Sequence, residues 1–315
     1  MDTLISNLSL GFSVALGLQN LGLAFVGCLV GTLIGVLPGV GPVATIAMLL
    51  PVTFSLDSVG ALIMLAGIYY GAQYGGSTTA ILINMPGESS SAVTAIDGYQ
   101  MARKGRAGAA LAIAALGSFF AGTVSTFLVA IFAPPLTKIA LQFGAAEYFS
   151  LMVVGLVMSV ALAHGSIVKA LAMLVLGLLL GLVGNDIFAG TPRFTLGITD
   201  FADGLNFVAV AVGVFGVAEI LRNLENEKTR TVLMSKVEGL MPTREDFRRM
   251  AGPVLRGTGL GSILGILPGG GAILAAFASY TVEKKLSKNP QEFGQGAIEG
   301  VAGPESANNA GAQTS

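Results

Sequence analysis

Long stretches of this sequence carry no charged side chain, among them Thr3 to Leu56, Val59 to Gly87 and Ala107 to Thr137. Each exceeds the ~20 residues that a helix needs to cross the hydrocarbon core of a bilayer. Soluble domains carry about a quarter charged residues; here 11% are charged and 53% are hydrophobic. The fold class that follows is an all-α polytopic membrane protein. The start, MDTLISNLS, has no basic n-region, and its hydrophobicity runs far past a signal-peptide core, so cleavage there is not expected. The single Cys28 lies in an apolar run, which excludes disulfides and thiolate metal sites. A net charge of −1 gives no reason to expect a nucleic-acid partner.

Apolar runs fall at about 58–83, 107–133, 145–163, 166–184 and 204–221. Basic residues alternate between them. On one side lie Arg103, Lys104, Arg106 and Lys169, with Arg222, Lys228, Arg230, Lys236, Arg244, Arg248, Arg249 and Arg256. Only Lys138 and Arg193 lie on the other. The positive-inside rule then places loops 94–106 and 222–256 in the cytoplasm. Segment 222–251 reads as an amphipathic connector on the membrane surface.

An internal repeat adds a second constraint. GTLIGVLPGVG at 31–41 aligns with GSILGILPGGG at 261–271, with six of eleven positions identical. Each copy sits mid-way through an apolar stretch, 22–56 or 252–282, that is long for one crossing at ~1.5 Å per residue. Proline removes a helical hydrogen bond and clashes with the preceding turn, so each stretch is expected to break there and return as a re-entrant hairpin. Five runs separate the two, an odd number, so the hairpins enter from opposite faces. That is an inverted-topology repeat, a pattern of secondary transporters. On this reading residues 1–221 hold the first repeat (hairpin 22–56, broken helix 58–91 and the following helices). Residues 252–315 begin the second.

Two polar islands accompany the breaks. YYGAQYGGSTTAILINMPGESSSAVTA, residues 69–95, and VAGPESANNAGAQTS, residues 301–315, are rich in glycine, hydroxyls and amides. Non-helical backbone at membrane depth must be buried in protein or line a wet cavity. Glycine amides and helix N-termini suit an anion, while freed carbonyls, hydroxyls and Asn oxygens suit a hard cation such as Na⁺. No lysine or arginine is expected within either hairpin arm or residues 69–91. Isolated hydroxyls serve close helix packing; those beside Gly75-Gly76 and MPGESS are read as a site. His164 is read as a helix cap, and Glu147, Asp97 and Glu219 as ordinary boundary carboxylates. Glu88 and Glu305 stand out, because intramembrane acids are costly without a task, unless they reach water. No HExxH, GxSxG or phosphate-binding loop occurs, so no enzyme is expected and no catalytic residue is assigned.

GTLIGVLPGVGPVATIAMLLP, YYGAQYGGSTTAILINMPGESSSAVTAIDGYQMARKGRAGAAL and GILPGGGAILAAFASYTVEKKLSK…GPESANNAGA resemble the large membrane subunit of the tripartite tricarboxylate transporters, the TctA family. The resemblance implies a bacterial inner-membrane permease driven by an ion gradient, Na⁺ or H⁺, with no other cofactor. It implies a small membrane subunit, a periplasmic solute-binding protein and a citrate-like carboxylate substrate. The substrate and cation site it implies comprises Pro38, Gly39 and Gly41; Ser77, Thr78 and Thr79; Asn84, Pro86, Gly87, Glu88 and Ser89; Pro268, Gly269, Gly270 and Gly271; and Asn308 and Asn309. It also implies that the second repeat continues beyond Ser315. The rival readings are a passive channel and a non-transporting remnant.

Overall fold

The computed structural model describes residues 2–37, 40–140, 142, 144–161, 166–186, 191–205, 210, 213, 217, 221, 239–266 and 271–315. They are mostly helical. Helices α1 (Asp2–Ala15), α2 (Leu18–Gly35) and α3 (Pro42–Leu49) are followed by a 3-10 turn (Leu50–Ser55) and α4 (Ser58–Ile83). Next come α5 (Ala92–Met101), α6 (Ala107–Ala140), α7 (Ala145–Ala161) and α8 (Ile167–Gly181). Later lie α9 (Arg244–Leu264), α10 (Gly271–Leu286) and α11 (Glu299–Thr314). A short ribbon pairs Gly184 with Arg193 and Asn185 with Pro192. Among the described residues, Leu18–Gly35 and Ala92–Pro135 are long and apolar enough to cross a bilayer. Leu21, Phe25, Leu29 and Leu33 on α2, with Val168, Leu171 and Val175 on α8, are exposed, as lipid-facing side chains are.

Local chemistry sets the helix ends. Asp57 accepts the Gly60 amide at 3.1 Å and caps α4. The helix stops where Asn84 turns into the left-handed region at φ 56°. Thr243 and Asp246 form a reciprocal capping box on α9, at 3.2 and 2.9 Å. Pro42 occupies the first position of α3, where its missing N–H costs nothing.

Glycines decide the packing. A Cβ at Gly27, Gly31 or Gly35 of α2 would strike the carbonyl of Met64, Ile68 or Ala72 on α4. Gly67, Gly71 and Gly75 of α4 return the same close approach to α2. In the second half, Gly257, Gly261 and Gly265 meet the carbonyls of Gly303, Ala307 and Gly311 on α11. Both registers rise together, so α2 runs parallel to α4 and α9 parallel to α11. The intervening chain must therefore turn back, through α3 and its 3-10 turn in one case and through α10 in the other. Ile81, Met101, Ile113, Val254, Ile298 and Val301 form the core between α4, α5, α6, α9 and α11.

Several expectations need correction. Segment 94–106 is not a loop: it is helical, bent where Gly105 takes φ +78°. Island 301–315 is not irregular: residues 299–314 form one helix through Pro304, because its small residues let α6, α9 and α10 pack around it and override local propensity. Helix α6 continues through Pro134 and Pro135 to Ala140, past the expected end at 133. Arg256 lies inside α9 rather than ahead of it; Glu283 of α10, itself buried, binds it twice, at 2.8 and 2.6 Å. His164, Glu219 and connector residues 222–238 lie outside the described residues.

Candidate functional site

The two breaks in the chain open on one cavity. It has a volume of about 450 Å³ and is lined by Gly41, Pro42 and Val43 at the start of α3 and by Gly271, Ala272 and Ile273 at the start of α10. Tyr69 and Gln73 of α4, the turn Gly87 to Ser90, and Ser315 complete its wall. The first amides of a helix have no partner within it, and the Thr45 amide is the first of α3 to reach back, to the Gly41 carbonyl at 3.0 Å. Two helix starts therefore turn their positive dipole ends to the same space, and in α3 the Val43 and Ala44 amides lie ahead of its first backbone hydrogen bond. A Cβ at Gly41 would sit in ordinary contact with Glu88, so this glycine keeps the mouth open without backbone strain. Gly87 is held against Gly76 and the Gly35 carbonyl, where no Cβ fits; its amide donates to Gly76 at 3.3 Å. That contact fixes Glu88 at the wall.

Behind the wall lies a polar network. Glu88 Oε1 accepts from Asn308 Nδ2 at 2.9 Å. One turn earlier on α11, Glu305 Oε1 accepts from Ser77 Oγ at 2.8 Å and Thr94 Oγ1 at 2.5 Å, while Ser118 Oγ lies 3.5 Å from Oε2. Asn309 Nδ2 donates to Ser118 Oγ at 2.7 Å and to the Glu305 carbonyl at 3.0 Å. Gln73 Oε1 and Asn308 Oδ1 are buried without a hydrogen-bond partner.

The sequence-predicted residues thus divide. Gly41, Gly87, Glu88, Ser89 and Gly271 line the cavity. Ser77, Asn308 and Asn309 belong to the network behind it. Thr78 and Thr79 give their hydroxyls to carbonyls of their own helix, Tyr74 and Gly76, at 2.8 and 3.0 Å. Asn84 caps α4, and Pro86 shapes the turn after it. Pro38, Gly39, Pro268, Gly269 and Gly270 lie outside the described residues. Sequence reasoning missed Tyr69 and Gln73, although they share one helix face with Ser77 at four-residue spacing. It also missed Thr94 and Ser118, lone hydroxyls in apolar helices with no pattern to mark them.

A second cleft of about 450 Å³ lies at the far end of α9 and α10. Its wall carries Arg248, Arg249, Arg256 and Lys288 with Glu245, Glu283 and Glu299; Arg249 holds Glu299 at 2.8 Å and Arg256 holds Glu283 at 2.6 Å. There the first turns of α9 and α11 already carry carboxylates, Glu245 and Glu299, whereas the starts of α3 and α10 carry none, so the first cavity is the better candidate for an anion. Among the described residues no group of His, Cys, Asp and Glu is arranged to hold a multivalent metal.

Residues 21–315 match the model of the tripartite tricarboxylate transporter TctA family. The chain is 70% identical, over its whole length, to an uncharacterized 52.8 kDa protein from the TAR-I ttuC' 3' region of Agrobacterium vitis, and spans 63% of that relative. Over 55 residues it is 82% identical to a second uncharacterized protein, from the TAR-II region of the same organism; this covers 18% of the chain and 23% of that relative. No solved structure matches.

Proposed function

Because the chain belongs to the tripartite tricarboxylate transporter TctA family, we propose that it is the permease subunit of an ion-gradient-driven carboxylate transporter of the bacterial inner membrane. The family is one of transporter components rather than enzymes. The observation that carries the reading is the convergence of two helix N-termini on one cavity, with no lysine or arginine among the described residues of its wall. Such ends bind carboxylates through backbone amides and dipoles, as they do in transporters built from inverted repeats around broken helices. The volume suits a small organic acid. In this reading α2–α3 and α9–α10 are re-entrant hairpins entering from opposite faces, and segments 94–106 and 222–256 face the cytoplasm. A periplasmic binding protein delivers a citrate-like acid, a small membrane subunit completes the assembly, and Na⁺ or H⁺ drives it. Glu88 in the same wall makes the cation necessary, since an anion beside a carboxylate needs a positive partner.

The test is uptake of labelled citrate by vesicles that contain both partner proteins, under an imposed sodium or proton gradient. Uphill uptake that needs the gradient and the binding protein is expected. Gly41→Leu, which projects a side chain into the cavity, should abolish it while the protein still inserts and folds. Wild-type uptake by Gly41→Leu would remove the cavity from the pathway. Downhill flux without the binding protein would make the chain a pore.

A further inference from the structure

Glu305 is 1% exposed, and four helices meet at its carboxylate. Ser77 reaches it from α4, Thr94 from α5 and Ser118 from α6, while α11 supplies Glu305 itself. Every one of these partners is a neutral hydroxyl. The basic side chains nearest to α11 are committed elsewhere: Arg256 to Glu283, Arg249 to Glu292 and Glu299, Arg106 to Asp246, and Lys104 to the Gln295 carbonyl at 2.6 Å. The neighbouring charge is a second acid, Glu88, joined to the same helix through Asn308. A carboxylate removed from water without a counter-charge is strongly disfavoured, and hydrogen bonds from neutral hydroxyls offset only part of that. Asn308 Oδ1 and Ser306 Oγ, on the same helix and both buried, also lack partners. This region is rich in oxygen acceptors and holds no cation of its own among the described residues.

We propose that Glu305 binds the small monovalent cation, a proton or a sodium ion, whose movement drives transport; the proposal rests on the transporter reading above. A proton would sit on the carboxyl, with a hydroxyl of Thr94 or Ser118 turned from donor to acceptor. A sodium ion would take the carboxylate and hydroxyl oxygens as hard ligands. Either neutralises the charge behind Glu88 and so eases entry of an anion into the adjoining cavity. By linkage the anion raises cation affinity by the same factor. Because Ser77 and Glu305 lie on different glycine-packed helix pairs, the cation also ties the two pairs together.

The proposal is tested without substrate, by thermal unfolding of the purified full chain. Sodium is exchanged for potassium at constant ionic strength, and pH is varied in sodium-free buffer. Stabilisation by sodium identifies one cation, and stabilisation by falling pH alone identifies the other. Glu305→Gln should abolish whichever response the wild type shows. Thr94→Val and Ser118→Ala keep the carboxylate. By removing ligand oxygens they should weaken apparent sodium affinity about five- to tenfold each, whereas for a proton they remove donors that favour the charged carboxylate and should strengthen its binding by a similar factor. Among the described residues, the other acids and the phenol that face α11 near Glu305 include Asp97, Glu283, Glu88 and Tyr74, and Arg249 is bound to Glu299 at the start of α11. Asp97 accepts three backbone amides and Glu283 is bound by Arg256. Tyr74→Phe is therefore the control, and it should retain the response. A wild type indifferent to both cations, or a Glu305→Gln variant with an unchanged response, overturns the proposal. In vesicles Glu305→Gln should exchange carboxylate across the membrane but fail to concentrate it. Concentration by Glu305→Gln overturns the cation site and leaves the transporter reading standing, whereas failure of the wild type to move any carboxylate overturns that reading itself.

Discussion

Helix α2 meets α4 through Gly27, Gly31 and Gly35, and α9 meets α11 through Gly257, Gly261 and Gly265. Spacing and parallel register are the same in both. Their surroundings are not. In the first pair α2 turns Leu21, Phe25, Leu29 and Leu33 outward, whereas residues 300–311 of α11 are buried along their whole length. The first pair brings Tyr69, Gln73 and Ser77 to the site; the second brings Glu305, Asn308 and Asn309. One backbone device therefore supports two different chemistries. In membranes close helix approach rests on small residues and leaves the rest of each helix free to vary. The glycines fix how near the backbones come, and other positions on the same helices decide what the space between the pairs contains.

The comparison breaks first at the glycines. Gly31→Val and Gly261→Val each drive a side chain into a neighbouring backbone, which no rotamer change relieves. Each should cost about 3 kcal/mol, read as a lower thermal unfolding midpoint in detergent. Gly259→Val is the control: it lies on α9, and a Cβ there meets nothing within 4 Å. It should stay within about 0.5 kcal/mol of wild type. If Gly261→Val were as mild as Gly259→Val, the equivalence of the two pairs would fail.

The way each pair's second helix is anchored differs as well, and the expected effect is smaller. Helix α4 is capped by its own Asp57. The turn into α11 is held by Asp97 of α5, whose Oδ1 accepts the amides of Gly294, Gly296 and Ala297 at 2.7–2.8 Å and whose Oδ2 accepts from Tyr280 at 3.0 Å. Asp97→Asn should cost about 2 kcal/mol, because hydrogen bonds to a charged group are the strong ones. Asp57→Ala should cost about 1 kcal/mol. Equal losses in the two variants would show that the cross-helix clamp adds nothing beyond an ordinary cap.

How much of this was legible in the sequence follows from the range of each interaction. The glycine-proline breaks are local, and local pattern reports them; the four-residue glycine spacing and the cap at Asp57 are just as local but were not read from the sequence. The face shared by Tyr69, Gln73 and Ser77 is local too, and was readable from its period. Thr94 and Ser118 reach Glu305 only because α5 and α6 pack against α11, and nothing near either residue marks it. Asp97, read as a boundary carboxylate, is wholly buried for the same reason. The helical state of 301–315 was hidden because glycine and proline argue against helix until surrounding helices outweigh their propensity.

Acid should separate the pairs further, with the smallest effect of all. Burial opposes the charge on Asp246, but hydrogen bonds from Arg106 at 2.6 Å and from Thr243 outweigh it and hold its pKa below the usual carboxylate value. The Arg249 hydrogen bond holds Glu292 down in the same way. A carboxylate whose folded pKa is depressed contributes stability that is present above its unfolded pKa and is lost as pH falls through the folded one. The loss should therefore appear on the acid side of the ordinary carboxylate range. Arg106 and Glu292 are each 41% exposed, so solvent screening keeps the contribution near 0.5 kcal/mol or less. Because these pairs anchor α9 and the turn before α11, amide exchange in those helices should quicken at low pH more than in α2 and α4. Asp246→Asn should reduce that difference, since it removes one of the two titrating groups and leaves the glycine packing of both pairs intact. Equal quickening in all four helices would mean that acid acts on the whole bundle through some other carboxylate, and that the charged anchors of the second pair carry no separate weight.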